Sequence, residues 1–106
     1  MDAGLMYGAL KEGKADVCPA YATDGRIIAF DLKVLKDDKQ FFPPYNAAPI
    51  IRNDTLEKHP ELEDALNSLA GKLDDETMQL LNAKVDLDKE SAEDVANEWL
   101  KAQGLI

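Results

Sequence analysis

Two adjacent prolines, Pro43 and Pro44, mark a segment of the chain that cannot be helical. Proline lacks the backbone N–H that a helix needs, and it disfavours helical backbone in the preceding residue. The run FFPPY at residues 41–45 therefore cannot lie inside a helix. Residues 19–53, which surround this run, carry turn residues and short apolar runs, whereas residues 54–106 carry helical periodicity. We expect an α/β chain with short strands first and a helical cluster afterwards.

The C-terminal part contains the residues that begin and end helices. Pro60 suits a first helical position and Gly71 suits a helix stop. Asp74 or Asp75 can cap a second helix, and Ser91 opens a capping-box pattern at the start of a third. Apolar residues at helical spacing support these three helices: Leu62, Ala65, Leu66 and Leu69, then Met78, Leu81 and Val85, then Val95, Trp99 and Ala102, with Gly104 as the final stop.

The N-terminal part mixes a helix with candidate strands. Residues 4–13 have helical spacing and end at a glycine. Residues 15–18 are typical of a brief buried strand, and residues 32–35 alternate as a strand does. Residues 48–52 are predicted to form a further strand, with a proline near its start or on an edge. Residues 21–25 have the Asp-Gly chemistry of a tight turn.

Composition excludes several classes of function. The chain has 106 residues, with 12 Lys plus Arg against 21 Asp plus Glu, which gives a formal charge of −9. Nucleic acid and anionic lipid are bound through cationic side chains, so neither is an expected partner. The longest apolar runs, at 27–30 and 47–51, are far shorter than the ~20 residues of a membrane-spanning helix. The Met1–Ala3 start lacks the pattern of a secretory signal peptide.

No pattern in the sequence supplies catalytic machinery, a metal site or a cofactor site. Cys18 is the only cysteine and His59 the only histidine. They could in principle pair as nucleophile and base, but a buried strand cysteine and a helix-entry histidine are the stronger interpretations. The alternating acids from Asp86 to Glu90 lack the glycine and the final glutamate of a calcium loop. We predict no enzyme, no metal and no cofactor, with a catalytic carboxylate pair as an open alternative.

Two tyrosines lie where the backbone is expected to be irregular. Tyr21 precedes Thr23-Asp24-Gly25, and Tyr45 follows the two prolines. Residues in irregular backbone often face clefts. The alternative, which the residues themselves leave open, is ordinary core or turn packing.

Several blocks that follow one another in order carry a resemblance to a known family. They are GLMYGAL at 4–10, AYATDGRI at 20–27, LKDDK at 35–39, FFPPYNAAP at 41–49 and PELEDALN at 60–67. Together they resemble the C-terminal portion of the substrate-binding proteins of osmoprotectant ABC importers, the glycine betaine/carnitine/choline family. The resemblance covers nearly the whole chain.

The resemblance implies a fold and an organisation. Members of the family have a type II periplasmic-binding-protein-like fold, with two α/β lobes that close on the solute. Residues 1–106 would then be a single fragment of that domain. Residues 1–22 would end one lobe and form a crossover, and residues 23–106 would form the C-terminal part of the other lobe.

The resemblance also implies a function and a site. The family holds a trimethylammonium group in a cage of aromatic rings, and by motif position Tyr21 and Tyr45 are the cage tyrosines of this chain. Thr23 and Asp24 lie on the same loop as Tyr21 and would hold polar parts of the solute or the loop itself. A ring face attracts a quaternary ammonium through its negative potential, by ~0.5–2 kcal/mol per good contact.

The expected partners are a quaternary-ammonium solute and an ABC permease. The expected location is outside the cytoplasm, tethered to or fused with a membrane component. The isolated chain is expected to bind solute weakly or not at all and to form dimers or exchange strands. The alternative function is an acidic helical protein-interaction module that binds no small molecule and uses helices within residues 60–103.

Overall fold

The computed structural model describes residues 3–106, and the helices in that range form two compact units. The first unit runs to Val34 and resumes over Asp74–Ile106, and the second is Leu35–Leu73. None of the described helices is long and apolar enough to cross a membrane. The helices are α1 (Ala3–Lys11), α2 (Arg26–Ala29), α5 (Asp75–Asp86) and α6 (Ala92–Ala102) in the first unit, and α3 (Asn53–Lys58) and α4 (Glu61–Asn67) in the second.

The described part of the chain contains no β-strand, so the strands predicted at 15–18, 32–35 and 48–52 are wrong. A strand exists through its ladder of hydrogen bonds to a neighbouring strand, and the described residues form no such ladder. Some apolar side chains of these segments are largely open, with Val17 71% and Ile50 96% exposed. The α/β prediction is therefore correct only in its helical portion.

Helix α1 ends where the sequence predicts. Gly13 has φ +68°, the left-handed conformation that closes a helix without a Cβ clash. The backbone N–H of Lys14 then donates to the carbonyl of Ala9 at 2.8 Å. The helix carries the most buried large side chain of the described residues, Tyr7, which is 2% exposed.

Helix α2 is a single turn that packs against α5, and we did not predict it because one turn has no periodic pattern to detect. Ile27 is its buried residue, at 7% exposure. Gly25, just before α2, lies so close to α5 that a Cβ there would meet the backbone N and Cα of Ala83 at 2.4 and 2.5 Å. The absence of a side chain at Gly25 permits this close packing.

Helices α5 and α6 complete the first unit. Asp74 caps α5 by accepting a hydrogen bond from the backbone N–H of Thr77 at 2.8 Å, which confirms the predicted cap. Ser91 is the N-cap residue of α6, but its side chain makes no capping hydrogen bond, so the predicted capping box is wrong. Val95 is 3% exposed and joins Tyr7 and Ile27 in the core.

In the second unit, α4 begins directly after Pro60, as predicted. Gly71 adopts φ +74° beyond its C-terminal end, which confirms the predicted stop. Helix α3, which precedes α4, is an additional helix that the sequence pattern does not predict. The predicted lobe boundary at residue 22 concerns a larger domain and stays a prediction; residues 1 and 2 of that range lie outside the described residues.

Candidate functional site

The loop Tyr21–Gly25, between the end of the N-terminal segment and α2, contains three of the four predicted site residues. The side chain of Tyr21 is 66% exposed. A hydrogen bond of 3.3 Å from the backbone N–H of Asp24 to the carbonyl of Tyr21 closes the loop as a tight turn, which confirms the turn expected from the sequence. Thr23 is half-buried.

Asp24 is engaged by Arg26. Its Oδ1 accepts from the Arg26 backbone N and Nε, both at 2.9 Å, and its Oδ2 accepts from Nη2 at 3.0 Å. Burial alone would raise the pKa of Asp24, but the hydrogen bonds and the positive charge of Arg26 outweigh burial and hold that pKa below its ordinary value. The carboxylate thus helps to fix the turn.

The ring of Tyr7 packs against the Arg26 side of this ion pair. The guanidinium carbon of Arg26 lies 4.7 Å from the centre of the Tyr7 ring, a cation–π geometry. The Tyr7 hydroxyl donates to the carbonyl of Tyr21 across 3.5 Å. Burial raises the pKa of the Tyr7 phenol, and the neighbouring charge of Asp24 adds to the increase. The phenol therefore stays a neutral donor over the ordinary pH range.

Two amide side chains of α5 hold the middle of the loop. Gln79 Nε2 donates to the carbonyl of Ala22, and Asn82 Nδ2 donates to the carbonyl of Thr23 at 2.8 Å. Neither residue is among the site residues predicted from the sequence. The three-residue spacing places both amides on one helix face, but nothing local in the sequence connects that face to a loop more than fifty residues away.

The fourth predicted site residue, Tyr45, belongs to the second compact unit and is 84% exposed. The loop before it is closed by Asp37, whose carboxylate accepts from the backbone N–H groups of Phe41 at 3.0 Å and Phe42 at 2.8 Å. These hydrogen bonds lower the pKa of Asp37. Neither Tyr45 nor Tyr21 is sealed in an interior, and the meeting of their rings around one cation stays a prediction.

The remaining residues considered for catalysis or metal binding are Cys18 and His59. Cys18 is half-buried and has a free thiol, although the strand expected around it is absent. His59 is exposed and follows α3, with its Nδ1 3.2 Å from Glu61 Oε1. Among residues 3–106, no three His, Cys, Asp or Glu side chains are grouped to hold a metal ion.

Known proteins similar to this chain define its class. The family model for the substrate-binding domain of ABC-type glycine betaine transport systems matches residues 1–102. A glycine-betaine-binding protein of Pseudomonas aeruginosa is 46% identical over 106 residues, which are 100% of this chain and 34% of that protein. The carnitine transport binding protein OpuCC of Listeria monocytogenes is 48% identical over 101 residues, which are 95% of this chain and 33% of that protein.

A solved structure shows the same local fold. The crystal structure of a glycine betaine/carnitine/choline ABC transporter protein matches with a TM-score of 0.93 and 50% identity, covering 99% of this chain and 38% of that one. The described loops and helices therefore share their local fold with part of that transporter protein. The chain belongs to the family of substrate-binding domains of ABC-type glycine betaine transport systems.

The similarity has a defined extent. The chain spans about a third of the length of these curated relatives, at 34% and 33%. A third relative, the ergothioneine transport permease/ergothioneine binding protein EgtU of Helicobacter pylori, is 43% identical over 105 residues, which are 99% of this chain and 19% of that protein. The three names differ in their solute, so family membership leaves the solute open.

Proposed function

We propose that this chain supplies part of the binding site of a protein that captures a small quaternary-ammonium solute outside the cytoplasm and delivers it to an ABC permease. Relatives named for glycine betaine and carnitine, together with the family match over residues 1–102, support this function. The proposed whole has the two-lobed type II fold. The relatives give no support to the alternative of an acidic protein-interaction module.

The observation that carries the proposal is the fixed loop beneath an exposed ring. Tyr21 is 66% exposed, while side chains bind the backbone carbonyls of residues 21, 22 and 23. Loops at protein surfaces usually leave such carbonyls to water. A loop held in this way presents its ring in one orientation, so a solute need not pay the entropy of ordering it.

The chemistry of the loop favours a quaternary amine over other cations. Such a group has no N–H to donate and is weakly hydrated, so it suits a ring face. The neighbouring carboxylate, Asp24, already receives three hydrogen bonds from Arg26. The loop therefore offers a solute the face of a ring and no uncompensated acid, which would attract sodium or lysine equally well.

Substitution of Tyr21 in the full-length product of the gene tests the proposal. We expect Tyr21→Ala to weaken the binding of glycine betaine, choline or carnitine by about 2- to 30-fold, the loss of one cation–π contact. Tyr21→Phe keeps the ring face and should bind nearly as the parent does. We expect Tyr45→Ala to resemble Tyr21→Ala. Isothermal titration calorimetry measures these affinities.

Leu80→Ala is the matched control, since Leu80 is an apolar residue of α5 that is 51% exposed and is neither donor nor acceptor in the loop hydrogen bonds described above. It should leave affinity unchanged. Parent-like binding by Tyr21→Ala, or no binding of any of the three solutes by the parent, would refute the proposed function. For residues 1–106 alone we expect weak or no binding.

A further inference from the structure

Gln79 is the one buried polar residue that the structure identifies within residues 3–106, at 8% exposure. A buried amide costs free energy unless it is hydrogen-bonded. Its donor is used on the carbonyl of Ala22, a residue 57 positions away in sequence. An apolar side chain at this position could pack between the helices but could not donate a hydrogen bond to the loop. The amide of Gln79 does both.

Asn82 repeats this arrangement one turn along α5. Its Nδ2 donates to the carbonyl of Thr23 at 2.8 Å, across 59 positions of sequence. Residues three apart share a helix face, so the two amides address two consecutive carbonyls as a pair. The close approach of Gly25 to the Ala83 backbone brings the loop within reach of that face.

The hydrogen bonds hold the backbone on the C-terminal side of Tyr21 and so limit the positions that its Cα can take. With the carbonyls of residues 22 and 23 fixed by α5 and that of residue 21 in contact with Tyr7, the loop has little freedom to turn. Loss of either amide would leave a carbonyl of the loop without its donor. The backbone would then shift so that this carbonyl accepts a hydrogen bond from water.

We propose that Gln79 and Asn82 are positioning residues that orient Tyr21 for the solute by holding the backbone of residues 22 and 23. This inference rests on the proposed function and adds a role for α5. The two amides act through the loop and contact its carbonyls.

A double-mutant cycle in the full-length gene product tests this role, with glycine betaine as the probe and calorimetry as the measurement. Gln79→Met keeps the length and removes the donor, and Asn82→Leu does the same at a less buried position. We expect each to weaken binding by about 3- to 10-fold, equivalent to one hydrogen bond. In a Tyr21→Ala background, we expect neither to weaken binding further, because their target is already gone.

Two controls separate positioning from stability. Val95→Ala removes buried apolar volume from α6 and should lower the melting temperature without changing affinity measured well below it. Gln103→Met makes the same chemical change at an exposed position and should alter neither. If Gln79→Met does not fold, Asn82→Leu alone decides the outcome.

The outcomes distinguish this inference from the function on which it rests. If the parent binds and Tyr21→Ala weakens binding, but the amide variants bind as the parent does, the positioning role is wrong and the function stands. Equal losses with and without Tyr21 also overturn the positioning role. If Tyr21→Ala binds as the parent does, both proposals fail.

Discussion

At the scale of single residues, the structure shows that Asp24 and Tyr21 have different surroundings although they share one loop. The resemblance of residues 20–27 to a known family identified both as site candidates, and the local sequence predicted the turn that contains them. Only the structure shows that the acid is bound by Arg26 and that Tyr21 is exposed. The role of Gln79 could not be predicted from the sequence, because its partner is distant in the chain and its burial depends on tertiary packing.

We predict that Asp24→Asn destabilises the first compact unit by about 1.5 to 3 kcal/mol at pH 7, the range for hydrogen bonds to a charged group. Since the pKa of Asp24 is lowered in the folded state, its stabilising effect is present above the unfolded pKa of about 3.9 and is lost as the pH falls through the lower folded pKa. The difference between variant and parent should be equal at pH 7 and pH 5, and smaller at pH 3.

Urea unfolding followed by the fluorescence of Trp99, which lies in the same unit, measures this difference. Asp16→Asn removes the same charge at an exposed position and should change stability little. A variant Asp24→Asn as stable as the parent at pH 7, or a difference that grows at pH 3, would show that the ion pair with Arg26 does not stabilise the turn.

At the scale of secondary structure, local chemistry predicted the helices that have clear ends, and it failed where a distant partner is required. Asp74, Pro60 and the glycine stops act within one turn of their own helix, so the sequence contains their effect. Strands depend on hydrogen bonds from another segment, and apolar alternation at 32–35 and 48–52 could not supply that segment. One-turn helix α2 depends on packing against α5.

Two glycines of the first unit should respond oppositely to alanine. At Gly25 the new Cβ would lie 2.4 Å from the backbone N of Ala83, so α2 and α5 would have to separate. We expect Gly25→Ala to cost about 1 to 3 kcal/mol, as overpacking does. At Gly8, inside α1, a Cβ meets nothing within 4 Å, so Gly8→Ala should stabilise by about 0.5 to 1 kcal/mol through helix propensity.

Thermal unfolding by circular dichroism compares the two variants with the parent. Each glycine variant is the other's control, because the chemical change is identical and only the surroundings differ. A stable Gly25→Ala protein would mean that the loop before α2 can move away from α5, which would also weaken the case for a fixed loop.

At the scale of the whole molecule, much apolar surface is open. In the second unit the most exposed large apolar side chains include Ile50 at 96%, Phe41 at 80% and Leu35 at 69%. Isolated exposed apolar residues are common in soluble proteins, but a group of this size within one small unit is typical of a surface that meets another surface. The segments that carry Ile50 and Leu35, which form neither helix nor strand, are also those expected to be strands.

We predict that residues 1–106, expressed alone, self-associate as the concentration rises. Exposed apolar surface drives this association, and the segments outside the helices can pair with those of a second copy by strand exchange. Multi-angle light scattering should show a rising mean mass, and the pair Phe41→Ser and Ile50→Ser should reduce it. Leu5→Ser, at a 67% exposed position of the first unit, is the control. A strict monomer at all concentrations would contradict the prediction.

The ion pair between Asp24 and Arg26 also affects how the proposed solute binding should depend on salt concentration. Dissolved ions weaken attraction between separated charges over about 10 Å at 0.1 M, but they scarcely affect groups in direct contact. Because Arg26 already neutralises the acid of this loop, the solute proposed above would be held there through contact with the Tyr21 ring. We therefore expect the affinity for the solute to be nearly the same at high salt concentration as in dilute buffer.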